Sequence, residues 1–277
     1  MLYLSGLFIL YFMKWLGGVL ALGSFGLLYL LEKKRPLRRE IEPKPINTLR
    51  NLAIATTAGA AVYLLEKPIT RKLTRLVEGN DLGLLKKLDL PDWAETAAAV
   101  VLLDYTLYLW HVLTHKAPFL WRFHRVHHAD LDLTASTAIR FHFGEMAISV
   151  LFRAGQIILI GVSPKALSIW QKLLLLSIVF HHSNIRLPKD FEEKLELLIM
   201  TPRLHGIHHS SRLEEMDSNW SSGLSLWDLL HGTFRQDVRQ ERIVIGVPDL
   251  DRPDQVTLGK MLTAPFSAEE KPEMLED

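Results

Sequence analysis

The chain has 277 residues, and its 32 lysines and arginines almost balance its 31 aspartates and glutamates, which argues against a nucleic-acid partner. It contains no cysteine, so disulfides, thiolate-ligated haem, iron–sulfur clusters and zinc sites of the CxxC type are excluded, and metal ligands must come from His, Asp and Glu. Hydrophobic residues make up 48% of the chain and are gathered into long blocks, as in membrane proteins.

Four apolar segments predict an all-α fold, an integral membrane bundle of helices. A helix over the third segment would extend roughly 33 Å, enough to cross the hydrocarbon core of a bilayer. The fourth is broken at Gly161 and Pro164, which predicts a hairpin that enters and leaves the membrane on the same face. The four segments run from Trp15 to Leu31, from Leu49 to Leu65, from Ala94 to about His115, and from Met146 to Phe180.

Charge and composition between these segments predict the orientation and division of the chain. The first segment ends at a cluster of lysines and arginines, which favours a retained span followed by a cytoplasmic segment, although the basic stretch from Lys67 to Lys87 weakens that assignment. We expect membrane spans with a connecting amphipathic segment over 1–93, a histidine-rich region over 94–234 that forms a cytoplasmic metal-binding cap, and a soluble tail over 235–277.

The histidines follow a repeated spacing, HxxHH, which occurs twice. On a helix or turn this spacing places imidazoles on one face, and imidazole is the commonest protein metal ligand. An HxxxH pair precedes the repeats, and an adjacent pair between them is expected to contribute one ligand. Nine imidazoles exceed what one tetrahedral or octahedral ion accepts, so the pattern predicts two ions. The histidines are His111 and His115; His124, His127 and His128; His181 or His182; and His205, His208 and His209.

Three further polar side chains are candidates to support these histidines. Asp104 stands seven residues before His111 on the same helical face, where its carboxylate could orient a ligand imidazole. His142 and Glu145 could act in the same way just before the fourth apolar segment. An interfacial polar anchor is an equally good interpretation of His142 and Glu145.

The ordered motifs HVLTH, HRVHH, HHSNI and HGIHH, followed by DSNW and WDLLHGT, resemble those of the membrane-bound fatty acid hydroxylase and sterol desaturase superfamily. The resemblance covers roughly residues 104–234 and implies a catalytic domain over 94–234 with a non-haem di-iron centre. From the adjacent pair it implies His182 rather than His181, because Ser and Asn follow His182. The implied ligands are therefore His111, His115, His124, His127, His128, His182, His205, His208 and His209.

The chain departs from the family pattern at four positions away from the implied ligands. Val112 stands where members often have Arg, and Trp220, Ser221 and His231 stand where Tyr, Gly and Phe are usual. These departures concern the substrate pocket rather than the metal chemistry.

The resemblance implies an oxidoreductase that uses two iron ions and dioxygen to hydroxylate or desaturate a C–H bond of a lipid, such as a fatty acyl chain or a sterol-like lipid. Zinc could replace iron during overproduction. No cytochrome b5 domain is found in the chain, so electrons are expected from a separate donor protein. The metal site is expected on the cytoplasmic face of a bacterial inner membrane or of the endoplasmic reticulum, and the sequence leaves the oligomeric state open.

Two alternatives stay open at this point. One is a zinc-dependent membrane enzyme that hydrolyses or isomerises lipids, and the other is a non-enzymatic metal transporter or structural zinc protein of the membrane. A transporter should place its ligands within opposed spans. Most of the histidines lie outside the apolar segments, which favours the enzyme.

Overall fold

The computed structural model describes residues 22–248 and 250–267. Within these ranges every regular element is helical, and the β-type pairings are isolated bridges. The predicted all-α fold is therefore confirmed. The first predicted span begins outside the described residues, and its described end belongs to helix α1, which covers 22–34.

The other α-helices follow in chain order, with short 3₁₀ turns between some of them. They are α2 (Lys44–Ala61), α3 (Lys67–Asn80), α4 (Asp92–Lys116), α5 (Pro118–His128), α6 (Phe143–Ile160), α7 (Pro164–His182), α8 (Lys189–Leu195), α9 (Pro202–His208), α10 (Leu213–Met216), α11 (Leu226–His231) and α12 (Leu258–Thr263). A π-helical segment, Val62–Glu66, joins α2 to α3 without leaving the helical region of the backbone.

Among the described residues, α4 and α6 are long and apolar enough to cross a membrane. They correspond to the third predicted span and to the first half of the predicted hairpin. Leu151 and Leu159 of α6 are 78% and 73% exposed, so this helix turns apolar surface outward. The second predicted span falls in α2 and the π-helical segment, and neither α2 nor α7 meets the criterion of length and composition that α4 and α6 meet.

The corner between α4 and α5 is set by Pro118. A residue before proline is driven out of the helical region, and Ala117 has φ −90° and ψ 115°. Pro118 is the first residue of α5, where a backbone N–H has no partner within the helix, so the missing N–H of proline costs no hydrogen bond. The corner brings the ring of His115, near the end of α4, within 4.8 Å of the ring of His124 on α5.

A tight turn joins α6 to α7. Gly161 ends α6 with φ +88°, Ser163 accepts a hydrogen bond from the N–H of Ala166, and α7 begins at Pro164. Gly83, with φ +96°, lies so close to the backbone of Gly161 that a Cβ atom at position 83 would overlap it. The two helices have 18 and 19 residues and extend roughly 27 Å each, so α7 returns its C-terminal histidines to the end of the bundle that holds α5.

Two apolar clusters stabilise this arrangement. Val77, Leu103, Ile157 and Trp170 belong to a buried cluster that joins α3, α4, α6 and α7 near the turn. At the other end, a second cluster packs α2 and α5 against α12, with Met261 buried in it. The two clusters thereby fix the helices that carry histidines at both ends of the bundle.

Candidate metal centre

Eight of the ten candidate histidines form two groups of four. In each group one ring nitrogen of every histidine lies within 4.8 Å of those of the other three. The first group is partly exposed at His115 and otherwise buried, whereas every member of the second group is buried. Group one consists of His111, His115, His128 and His208, and group two consists of His127, His182, His205 and His209.

Each HxxHH motif contributes to both groups. Adjacent residues on a helix point about 100° apart, so His127 and His128 at the end of α5 enter different groups. The same division separates His208 from His209 at the end of α9. The repeated motif therefore joins two neighbouring sites.

The spacing of the ring nitrogens fits a metal ion in each group. His127 Nε2 and His205 Nε2 each lie 3.0 Å from His182 Nε2, and His208 Nε2 lies 3.1 Å from His111 Nε2. Nitrogens bonded to one ion at 2.0–2.1 Å are separated by about 2.9–3.4 Å in octahedral and tetrahedral geometry. Both ring nitrogens of His128 are buried without a hydrogen-bond partner among the described residues, which is unusual for polar atoms unless something binds them.

Burial keeps these imidazoles in the neutral form that binds metal. Desolvation, followed by the neighbouring imidazoles, lowers the pKa of His127, His128, His205 and His209 well below its usual value. The same causes, burial first, lower the pKa of His208 to about 3. At neutral pH no proton competes with a metal ion for these nitrogens.

Backbone carbonyls orient three of the rings. His111 Nδ1 donates to the carbonyl of Trp220 at 2.6 Å, and His182 Nδ1 donates to that of Ile178 at 2.7 Å. His208 Nδ1 lies 2.9 Å from the carbonyls of residues 216 and 218. Because Nδ1 carries the proton, each Nε2 presents its lone pair to the group.

His124 lies beside the first group without being one of its four members. Its ring centroid is 5.1 Å from that of His111, and its buried Nε2 has no hydrogen-bond partner in the part of the chain that the structure describes. Its Nδ1 lies 2.8 Å from Glu145 Oε1, so Glu145 contacts a candidate ligand. His181 is buried with its ring 4.2 Å from that of His205 but belongs to neither group.

Two other candidates make different contacts. Asp104 accepts hydrogen bonds from the N–H of Leu224 and from Trp227 Nε1, at 3.0 and 2.8 Å. These bonds hold Leu224 and the start of α11 against α4. His142 caps α6 by accepting from the N–H of Gly144, and its Nε2 donates to the carbonyl of Leu262 in α12. These bonds hold elements of the scaffold, and the partner of His111 is instead the backbone carbonyl of Trp220 in the DSNW segment, so this departure from the family pattern does contact an implied ligand.

The fatty acid hydroxylase family model matches residues 96–233, which contain both histidine groups. The chain belongs to the fatty acid hydroxylase family. This confirms the resemblance inferred from the motifs.

Over 154 residues, this fatty acid hydroxylase family member is 31% identical to the ornithine lipid hydroxylase OlsE of Rhizobium tropici. The aligned residues cover 55% of the chain and 45% of that relative. It is 27% identical over 144 residues to the alkylglycerol monooxygenase of Homo sapiens, covering 52% of the chain and 31% of the relative. With the cholesterol 25-hydroxylase of Homo sapiens it shares 28% over 144 residues, or 49% of each chain. The chain thus matches less than half the length of these relatives, and no solved structure matches it.

Proposed function

We propose that the chain is an integral-membrane oxidoreductase that holds two iron ions in its histidine groups and uses dioxygen to hydroxylate a C–H bond of a lipid. The observation that carries the proposal is the convergence of eight imidazoles, seven of them buried, in two groups of four. The relatives act, by their names, on ornithine lipid, alkylglycerol and cholesterol. They support a lipid as the substrate class.

The proposed ligands are the eight grouped histidines together with His124. The Nε2 atom of His124 is buried and has no hydrogen-bond partner within residues 22–248 and 250–267, and Glu145 fixes the opposite nitrogen. The proposed catalytic domain covers 94–234, with the N-terminal spans over 1–93 and the tail over 235–277.

When bound, two ferrous ions supply the reduction of dioxygen and the oxidation of a C–H bond. Hydroxylation takes one O₂, two electrons and two protons and yields an alcohol and a water, so a separate electron-donor protein is part of the proposal. Desaturation consumes the same reagents and yields an alkene and two waters. The chain itself keeps the imidazoles neutral, fixes their tautomers through backbone carbonyls, and excludes water from the buried second group.

The edge of the first group is the proposed place of substrate approach. The ring of His115 packs 4.8 Å from that of Trp121 and 4.6 Å from that of Trp220, and His115 is the group member that is not fully buried. It stands near the C-terminal end of α4, one of the two apolar helices. We place both groups at the cytoplasmic face of a bacterial inner membrane or of the endoplasmic reticulum, so that a lipid reaches His115 along α4.

The proposal is tested by metal content and by oxygen-18 labelling. Protein loaded with ferrous iron is expected to retain about two irons per chain, and cells that express it under labelled dioxygen should accumulate lipid with label in a hydroxyl group. His128→Ala and His209→Ala should lose metal and product. Lys189→Ala, which alters an exposed lysine on α8, should retain both.

A purified protein that retains no transition metal would overturn the proposal, as would labelled product from His128→Ala and His209→Ala at the normal rate. A new double bond without label would assign desaturation. Bound zinc together with lipid turnover that does not depend on dioxygen would instead support the zinc-dependent enzyme.

A further inference from the structure

A short N-terminal segment, residues 32–38, contacts the loop that follows α5, the residues that follow α7, and helix α9, and these three helices carry the histidines of the second group. It lies outside the residues 96–233 that match the family. Two charged side chains of this segment, Glu32 and Arg38, are buried. Their contacts connect the end of α1 to the loop after α5, to the end of α7 and to α9.

One carboxylate oxygen of Glu32 joins two of these parts. Glu32 Oε1 accepts hydrogen bonds from the N–H of Ala135, in the loop after α5, at 2.7 Å and from the N–H of Asn184 at 2.8 Å. Asn184 stands two residues after His182. The other oxygen forms an ion pair with Lys44 Nζ at 2.6 Å, and both side chains are almost completely buried. Charge-assisted hydrogen bonds are strong in such surroundings.

Arg38 reaches the third part, helix α9. Its backbone N–H donates to Asn184 Oδ1 at 2.8 Å, and Asn184 Nδ2 donates to its carbonyl at 2.9 Å. Its guanidinium donates to the carbonyl of Pro202 at 3.2 Å and lies against Gly206, where an added Cβ would overlap Nη1. Burial lowers the pKa of Arg38 to about 10, so the group stays charged at neutral pH. A side chain at position 206 would therefore displace the guanidinium from this place.

We infer that Glu32 and Arg38 are positioning residues for the second metal site, holding together the three parts of the chain that supply its four histidines. The inference rests on the proposed function, because it requires that group to hold an ion. The first group is oriented differently, since carbonyls of residues 216–220 hold His111 and His208. Helix α9 also carries His208 of the first group, but the carbonyls of Met216 and Ser218 still hold that ring when the contacts of Glu32 and Arg38 are lost. Loss of these contacts should therefore weaken the second site and largely spare the first.

The test is a Co²⁺ titration of the purified full-length apoprotein, followed by visible absorption and by metal content after desalting. Wild type should bind two equivalents, and so should Arg39→Ala, which removes an exposed neighbour. Arg38→Ala and Glu32→Ala should bind one equivalent normally and the other about 10–100-fold more weakly. The double variant Glu32→Gln/Lys44→Met keeps an oxygen that can accept both N–H groups and removes the buried ammonium that would lose Glu32 as a partner. It should restore most of the second affinity lost in Glu32→Ala.

Unchanged binding of both equivalents by Arg38→Ala and Glu32→Ala would overturn the inference. So would an equal loss of both equivalents from variants that remain helical by circular dichroism and monodisperse on gel filtration. If Arg38→Ala does not fold, the Glu32 variants decide the outcome in the same way. A wild-type protein that binds no metal would overturn the proposed function itself and this inference with it.

Discussion

Arg140 caps the helix end that carries the adjacent histidines of the first HxxHH motif. Its completely buried guanidinium donates to the carbonyls of Val126 and Ala129, at 2.9 and 3.3 Å, and to Asn51 Oδ1 at 2.8 Å. The two carbonyls belong to the end of α5, where helical acceptors have no partner within the helix. Burial lowers the pKa of Arg140 to about 10, so it remains charged at neutral pH.

Arg140→Ala removes three charge-assisted hydrogen bonds and leaves their acceptors buried. Each buried acceptor that loses its partner costs about 1–3 kcal/mol, and we expect the loss of the three bonds together to lower the free energy of unfolding by about 3–5 kcal/mol. Since about 1 kcal/mol shifts the Tm of a chain of this size by roughly 2–4 °C, the Tm should fall by roughly 6–20 °C. Because α5 supplies one histidine to each group, both Co²⁺ equivalents should bind more weakly, in contrast to the effect expected for Arg38→Ala.

The assay is thermal unfolding of the detergent-solubilised apoprotein, followed by circular dichroism. Arg122→Ala is the matched control, because Arg122 lies on α5 but is exposed. The free energy of unfolding of this variant should differ from that of the wild type by no more than about 0.5 kcal/mol. A fall of less than about 2 °C for Arg140→Ala, or an equal fall for Arg122→Ala, would refute the capping role.

The hairpin turn, the His124 ring and the buried histidines each give a further expectation. Gly83→Ala should lower the Tm by several degrees in the same assay, because the new Cβ overlaps the backbone of Gly161. Glu145→Gln should weaken Co²⁺ binding about 10-fold, because the neutral amide oxygen accepts from His124 Nδ1 more weakly than the carboxylate does. The apoprotein should lose stability as the pH falls through about 6.5, since unfolded histidines take up protons there, whereas the pKa of folded His208 is about 3.

Each of these expectations has a control or an opposing result. Gly79→Ala adds a Cβ to open space on α3 and should not reduce the Tm, so an equal loss from both glycine variants would contradict the overlap argument. Glu193→Gln alters an exposed carboxylate and should leave Co²⁺ affinity unchanged. Apoprotein stability that rises as the pH falls below about 6.5 would reverse the predicted sign and show that the folded histidines are not held neutral.

The histidine spacing predicts which side chains converge but not how they are divided. HxxHH indicates a shared face, and HxxxH at the end of an apolar segment indicates where that face meets the other motifs. The spacing does not predict that His127 and His128 enter different groups, because this division depends on which helix packs against each side of α5. The proline before α5, by contrast, is sufficient to predict the corner, since its steric effect is local.

Contacts made by single polar side chains were harder to predict. The helical period places Asp104 on the face of His111, yet the tertiary fold brings Leu224 and Trp227 to that carboxylate. The partner of His111 is a carbonyl of the DSNW segment, which is presented because Asp228 accepts the N–H of Trp220. Such backbone contacts depend on packing between residues far apart in the sequence, so helical periodicity does not predict them.

The two histidine groups also differ in how exposed their surroundings are, and this difference indicates which group a lipid could approach. At the α4–α5 corner Leu113 and Phe119 are 45% and 60% exposed, so an apolar surface leads to the edge of the first group beside His115. Every histidine of the second group is buried, and α5, α7 and α9 supply them. If the proposed function holds, a lipid that keeps most of its length in the bilayer would bring its reacting carbon to the first group rather than to the buried second one.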